Sequence, residues 1–198
     1  MEKANMVDAI GATVLRGGGN NEGVHLAGQY TAKCFGPDGN LKWEDTFDNV
    51  VTDVGANWAL NQIFGTQQTI TSYMGLISSV GYVATPPAVG NTMGTHTGWN
   101  EAGNGVNYPM WASSSVRATL TWSAAATRAK ALTSAASFVI AADNGGGTVK
   151  GCFIVGGTGG SATNADTGGI LYSAGFFTGG DKVVGTGDTL QVSYSTSM

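Results

Sequence analysis

Between Ser115 and Ser197 the chain is a succession of short runs in which apolar residues fall at every second position, as in Val116, Ala118, Leu120 and Trp122, and again in Leu190, Val192 and Tyr194. Side chains alternate between the two faces of a strand, so this period of two describes half-buried antiparallel strands. Turn signals punctuate the runs at roughly 8- to 15-residue intervals, a spacing typical of all-β sandwiches. The strongest are GPDGN (36–40), DNGGG (143–147) and TGGD (178–181). Upstream, HLAGQYTAKCF (25–35) and LKWEDTF (41–47) flank the first of these turns and read as a β-hairpin. TITSYMGLISS (69–79), TVKGCFIVGG (148–157), GILYSAGFF (169–177), KVVG (182–185) and DTLQVSYSTS (188–197) supply further strands. The expected fold is therefore all-β, an antiparallel two-sheet sandwich of eight or nine strands, with jelly-roll-like wiring as the first choice.

One segment breaks the pattern. In NVVTDVGANWALNQIFG, Thr52 or Asp53 can cap a helix, and Val54, Trp58, Leu60, Ile63 and Phe64 recur at helical spacing. Gly65 stands where such a helix stops. The expectation is one short α-helix over about 53–64, with its apolar stripe packed into the core. Residues 1–23 read as an N-terminal arm, in which the apolar stretch MVDAIGATVL is followed by the glycine hinge RGGGNNEG, and residues 24–198 read as the sandwich domain. Residues 80–114 form a long irregular stretch, of the kind that is usually functional or interface-forming.

Composition narrows the function. Charged residues are only 11%, less than half the usual share of about 25%, and there are 32 glycines among 198 residues. Free monomers usually stay soluble through surface charge, so this surface suits a chain covered by copies of itself or by a partner. The nine basic residues are scattered, which argues against nucleic-acid binding, and no run of about 20 apolar residues suggests a membrane span. The N-terminus lacks the apolar core of a signal peptide, so cytoplasmic synthesis is expected.

Chemistry-bearing constellations are sparse. Cys34 and Cys152 each lie inside a strand-like run and read as small buried hydrophobes. His25 and His96 are the only histidines. His96 lies in THTGWNE with Glu101 five residues on, but one histidine is too few for the usual zinc or iron sets, and no metal or cofactor is expected. There is no G-x-S-x-G elbow, and Glu44 and Asp45, adjacent on a strand, point to opposite faces and are no glycosidase pair. The glycine-rich stretches lack the P-loop order, and NADTGG lacks the acidic ladder of an EF-hand. No catalytic residues are assigned. Trp43, Trp58 and Trp122 read as core, whereas Trp99 and Trp111, flanking the long loop, read as exposed aromatics. With His96, Glu101 and Tyr108 they form a candidate interface.

Three features carry a family resemblance. They are WEDTFDNVVTDVG (43–55) leading into a helix that ends IFG (63–65), then THTGWNE (95–101) with YPMW (108–111) and RATLTW (117–122), and finally LYSAGFF (171–177) with KVVGTGDTLQVSY (182–194). In this order they resemble tailed-phage virion structural proteins, in particular capsid decoration or cement subunits of jelly-roll type. That resemblance implies a non-enzymatic homo-oligomer, with a trimer favoured, that docks on the phage major capsid protein at the outer capsid surface and stabilises the shell. A tail, collar or fibre-base subunit, and more distantly a carbohydrate-binding sandwich, are the competing expectations.

Overall fold

A computed structural model of the chain describes residues 26–65, 71–80, 85–96, 99–103, 109, 116–141 and 146–198. The arm, Tyr108, Trp111 and most of the DNGGG turn lie outside the described residues, as does much of the 80–114 stretch.

The two-sheet antiparallel sandwich is present. In the first sheet the expected hairpin joins β1 (Ala27–Phe35) to β2 (Leu41–Asp48), and β1 pairs along its whole length with β12 (Thr189–Ser197). Two short strands, β7 (Ala129–Ala131) and β8 (Ala136–Val139), lie along the other edge of β12. The second sheet runs β3 (Val50–Val51), β10 (Ile170–Phe176), β9 (Gly147–Gly156), β4 (Ser72–Ser78) and β5 (Asn100–Glu101). In addition, β11 (Lys182–Val184) pairs with β9, and β6 (Ala118–Leu120) pairs with β4. The strand count exceeds the expected eight or nine because several pieces, such as β3 and β5, are only two residues long. Pieces that short carry no periodicity to read.

The alternation places the core. Tyr30, Ala32 and Cys34 on β1 and Leu190, Val192 and Tyr194 on β12 all turn inward and are buried. They meet Met74 and Leu76 of β4, Cys152 and Ile154 of β9, and Tyr172 of β10. Tyr30 stacks on Phe47 at 5.3 Å, and its hydroxyl shares a 2.8 Å hydrogen bond with Ser173 of the opposite sheet. Burying each Leu, Ile or Phe side chain here contributes roughly 1.5–3 kcal/mol. Both cysteines are free and buried in this core, as expected of small hydrophobes.

The helix α1 (Asp53–Phe64) forms where its signals place it. Thr52 is the N-cap, its hydroxyl accepting from the Gly55 amide at 3.0 Å while donating to the Leu171 carbonyl. Gly55 is required by close approach, since a Cβ there would sit 2.4 Å from the Tyr172 carbonyl oxygen of β10. Gly65 ends the helix in extended rather than left-handed backbone, its amide bonding the Asn61 carbonyl at 2.8 Å. The helix stripe departs from expectation. Trp58 packs against Tyr172, but Leu60, Ile63 and Phe64 are exposed, Phe64 at 82%. The apolar residues at the C-terminal end of the helix are therefore only partly covered by the described residues.

Candidate functional site

The segment SVRATLTWS departs most from its sequence pattern. Alternation predicts Val116 inside and Arg117 outside, yet Val116 is 41% exposed and Arg117 only 2%. The strand is confined to Ala118–Leu120, because residues 116–117 leave β4 and bridge instead to Thr163 in the 161–169 loop. The Arg117 guanidinium is thereby directed over the outer face of the second sheet, its carbon 5.4 Å from the Phe153 ring centre.

Glu101, on β5, meets it there. Arg117 Nε donates to Glu101 Oε1 at 2.9 Å and Nη2 donates to Oε2 at 2.8 Å, the bidentate fork that guanidinium and carboxylate planes favour. The same guanidinium donates to the carbonyls of Ser161 at 3.1 Å and Asp166 at 2.6 Å. Glu101 Oε2 also accepts from the Ala165 amide at 2.8 Å, and Ala165 takes a left-handed φ of 60° to present that amide. Asn164 closes the cluster by donating to the Ala102 carbonyl at 2.6 Å. One ion pair thus fastens three chain stretches, 100–103, 116–117 and 161–168, onto one sheet face. Gly75 leaves room for it, since a Cβ at that position would meet Phe153 at 2.3 Å and Glu101 Oε1 at 2.9 Å.

Burial lifts the Glu101 carboxyl above its ordinary range, against the opposing pull of Arg117 and the Ala165 amide. With both oxygens on strong donors, the carboxylate lone pairs and the guanidinium protons are turned onto each other and the backbone. The chemistry of the pair is that of a clasp rather than of proton transfer.

Trp99 and His96 adjoin this cluster. Trp99 was expected as an exposed aromatic and is instead 3% exposed, tilted against Phe153 at 5.3 Å. It belongs to a second apolar layer, with Met93, Ile77 and Leu171, on the outer face of the second sheet. Its indole nitrogen and the Asn164 side-chain oxygen are buried without a hydrogen-bond partner. His96 stacks on Trp99 with ring centres 3.8 Å apart, and its Nδ1 lies 3.2 Å from the Trp99 carbonyl, which fixes that nitrogen as the donor. Burial lowers the His96 pKa, so the ring is neutral at neutral pH. Of the five candidate interface residues, then, His96, Trp99 and Glu101 are brought together on the outer layer, with Trp99 and Glu101 buried and so unable to serve as exposed anchors in this chain. Tyr108 and Trp111 fall outside the described residues.

Several other carboxylates sit on cations. Asp188 takes Lys42 at 2.5 Å and Asp45 takes Lys182 at 2.8 Å, both acids being almost fully buried at the rim of the sandwich. Burial pushes both carboxyls up, but the lysines and nearby amides win and hold them below the ordinary range. Glu44 points to the opposite face from Asp45 and pairs with Lys33 at 3.1 Å. Asp166, in NADTGG, accepts from Ser161 Oγ at 2.5 Å and from the Gly168 amide at 2.8 Å, the role of a turn residue. Among the described residues no three His, Cys, Asp or Glu side chains converge as a metal set, and no helix is long and apolar enough to cross a membrane.

A sizeable concavity lies elsewhere. A groove of about 500 Å³ runs between α1 and the ends of β7 and β12, lined by Leu26, Trp58, Ile63, Trp122, Tyr172 and Met198. Its walls are mainly apolar, and Arg128 and Lys130 line it as well. Sequence reasoning missed both the clasp and the groove. Arg117 carries no local mark distinguishing it from a solvent-facing arginine, and the groove exists only where separate elements meet. In comparisons with family models, with curated proteins and with solved structures, nothing matches this chain.

Proposed function

We propose that this chain is a non-enzymatic structural subunit of a tailed-phage virion, most specifically a capsid decoration protein that binds the outer shell as a homo-oligomer. The observation that carries the reading is the ordered set of motifs from WEDTFDNVVTDVG to KVVGTGDTLQVSY, which resembles that class of protein. The residues within those motifs have structural tasks. Thr52 caps the helix, Glu101 and Arg117 clasp three loops, and Leu190, Val192 and Tyr194 fill the core. A low-charge surface is consistent with a subunit packed against copies of itself, and closed three-fold clusters are a common solution. Many weak contacts per shell then add through multivalency. The carbohydrate-binding alternative is weakened by the burial of Trp99, one of the aromatics it needs at the surface.

Imaging intact particles tests the proposal. Hundreds of copies spread over the shell are expected. A dozen or fewer copies at one vertex would make the chain a collar or tail subunit, and absence from particles would overturn the virion assignment.

A further inference from the structure

The apolar groove and the uncovered last turn of α1 form one continuous surface, because Ile63 belongs to both. We infer that this surface is the dock for residues 6–15 of the same chain, MVDAIGATVL, folded back as a strap. The inference goes beyond the virion reading and does not depend on it.

The preceding chain joins at the groove. Leu26 lines the groove and is the last residue before β1, so everything upstream starts from the site itself. The length of the connecting chain also fits. Residues 16–25, RGGGNNEGVH, separate the apolar stretch from Leu26. As a glycine-rich coil, ten residues have a root-mean-square span of roughly 16–19 Å, and fully extended they reach about 33–36 Å. Because Leu26 itself lines the groove, that reach covers it, and a short flexible tether holds a segment at an effective concentration in the millimolar range. The glycines at 17, 18, 19 and 23 permit the reversal of direction that docking beside Leu26 requires.

Chemistry matches as well. The stretch offers Met6, Val7, Ile10, Val14 and Leu15 to walls of Trp58, Ile63, Trp122 and Met198. Its one charge is Asp8, and the cations on the groove are Arg128 and Lys130. The turn carrying Arg128 is held in left-handed backbone at two non-glycine residues, Thr127 (φ 49°) and Arg128 (φ 63°). Such conformations are strained for non-glycine residues and persist where the surroundings over-determine them. Here the Arg128 carbonyl accepts the Met198 amide at 3.1 Å, which ties the turn to the groove wall.

The test is proximity in the full-length chain. Single cysteines at Met6, Ile10 or Val14 are each combined with Ile63→Cys and treated with a short bismaleimide in dilute solution. The native Cys34 and Cys152 are fully buried and stay unmodified. The expected product is an intramolecular cross-link of monomer size. Adding Val7→Asp and Val14→Asp to the Ile10→Cys/Ile63→Cys chain should slow it by about tenfold or more, as two apolar contacts become charged. A dimer-sized product would mean that the groove takes the segment of a second copy, and would overturn the assignment. So would no product from any of the three pairs, or a rate indifferent to the two aspartates, which is the signature of a tether that merely collides with the groove.

Discussion

Both faces of the sheet built around β9 are covered, but by opposite means. The inner face is filled by side chains that need nothing but contact: Cys152 and Ile154 meet Tyr30, Phe138 and Val192 across the sandwich. The outer face is covered by loops, and loops cannot be held by apolar contact alone. There Phe153 and Val155 lie under Trp99 and Met93, and the covering stretches are fastened by the Arg117–Glu101 pair. The difference teaches where charge belongs in a low-charge protein. One buried ion pair with its backbone bonds fixes three stretches in register, which scattered hydrophobes would not do.

The largest effect that separates the two faces comes from removing one partner of the clasp. Arg117→Met leaves Glu101 as a buried, unpaired carboxylate and should destabilise the fold by about 3–5 kcal/mol in chemical denaturation. Phe138→Ala on the inner face should cost a similar amount, about 3–5 kcal/mol, by opening a cavity. The distinction is that adding Glu101→Leu to Arg117→Met should restore much of the loss, whereas no second truncation near Phe138 restores a cavity. If the double variant is as unstable as the sum of its parts, the clasp is not a coupled unit.

That contrast also marks what could be read from the sequence. The inner face was legible because a period of two is a local signal, visible in Leu190, Val192 and Tyr194 without knowledge of the partner strand. The hairpin around GPDGN and the Thr52 cap were legible for the same reason. Burial of Arg117 depends on a carboxylate 16 residues away and on carbonyls at 161 and 166, so the same local pattern pointed the wrong way. Trp99 illustrates a related limit. A tryptophan in a glycine-rich loop reads as exposed until the loop is known to fold back over Phe153. The stripe of α1 erred in the opposite sense, since its spacing shows which residues share a face but not whether a neighbour covers that face, and Ile63 and Phe64 are exposed.

Smaller effects probe how closely each face is packed. Gly→Ala within a helix ordinarily stabilises by about 1 kcal/mol. Gly55→Ala should instead destabilise, by about 1–3 kcal/mol, because the methyl would meet a β10 carbonyl that cannot move without breaking the sheet. On the outer face Gly75→Ala should cost a similar amount and loosen the clasp, since the methyl would strike Phe153 and Glu101 together. A stabilised Gly55→Ala variant in thermal melts would show that the helix stands off from β10. Thr52→Ala should cost about 1 kcal/mol, the usual value of an N-cap, with the lost bond to Leu171 adding to it.

The smallest effect has opposite signs in the clasp and at the rim. Asp45 and Asp188 have folded pKa values below their ordinary 3.8. Their stabilisation is therefore complete above that value and is lost as pH falls through the folded pKa, where the unfolded chain has taken up the proton first. Glu101 is raised above its ordinary 4.5, so its folded form takes up the proton first. As pH falls through that window the clasp carboxyl contributes a relative gain, because neutralising it removes a desolvation cost that neutral pH imposes. Denaturant midpoints followed from about pH 7 to about pH 2.5 give the total difference in bound protons, and single variants assign its parts to rim and clasp. Asp188→Asn should lower stability at neutral pH yet flatten the decline below the ordinary aspartate value. Glu101→Gln should leave that decline intact and remove the gain just above the ordinary glutamate value. An Asp188→Asn variant that loses stability in acid as steeply as the parent chain would show that the Lys42 pair is not what holds the rim carboxylate low, and the electrostatic contrast between rim and clasp would fall with it.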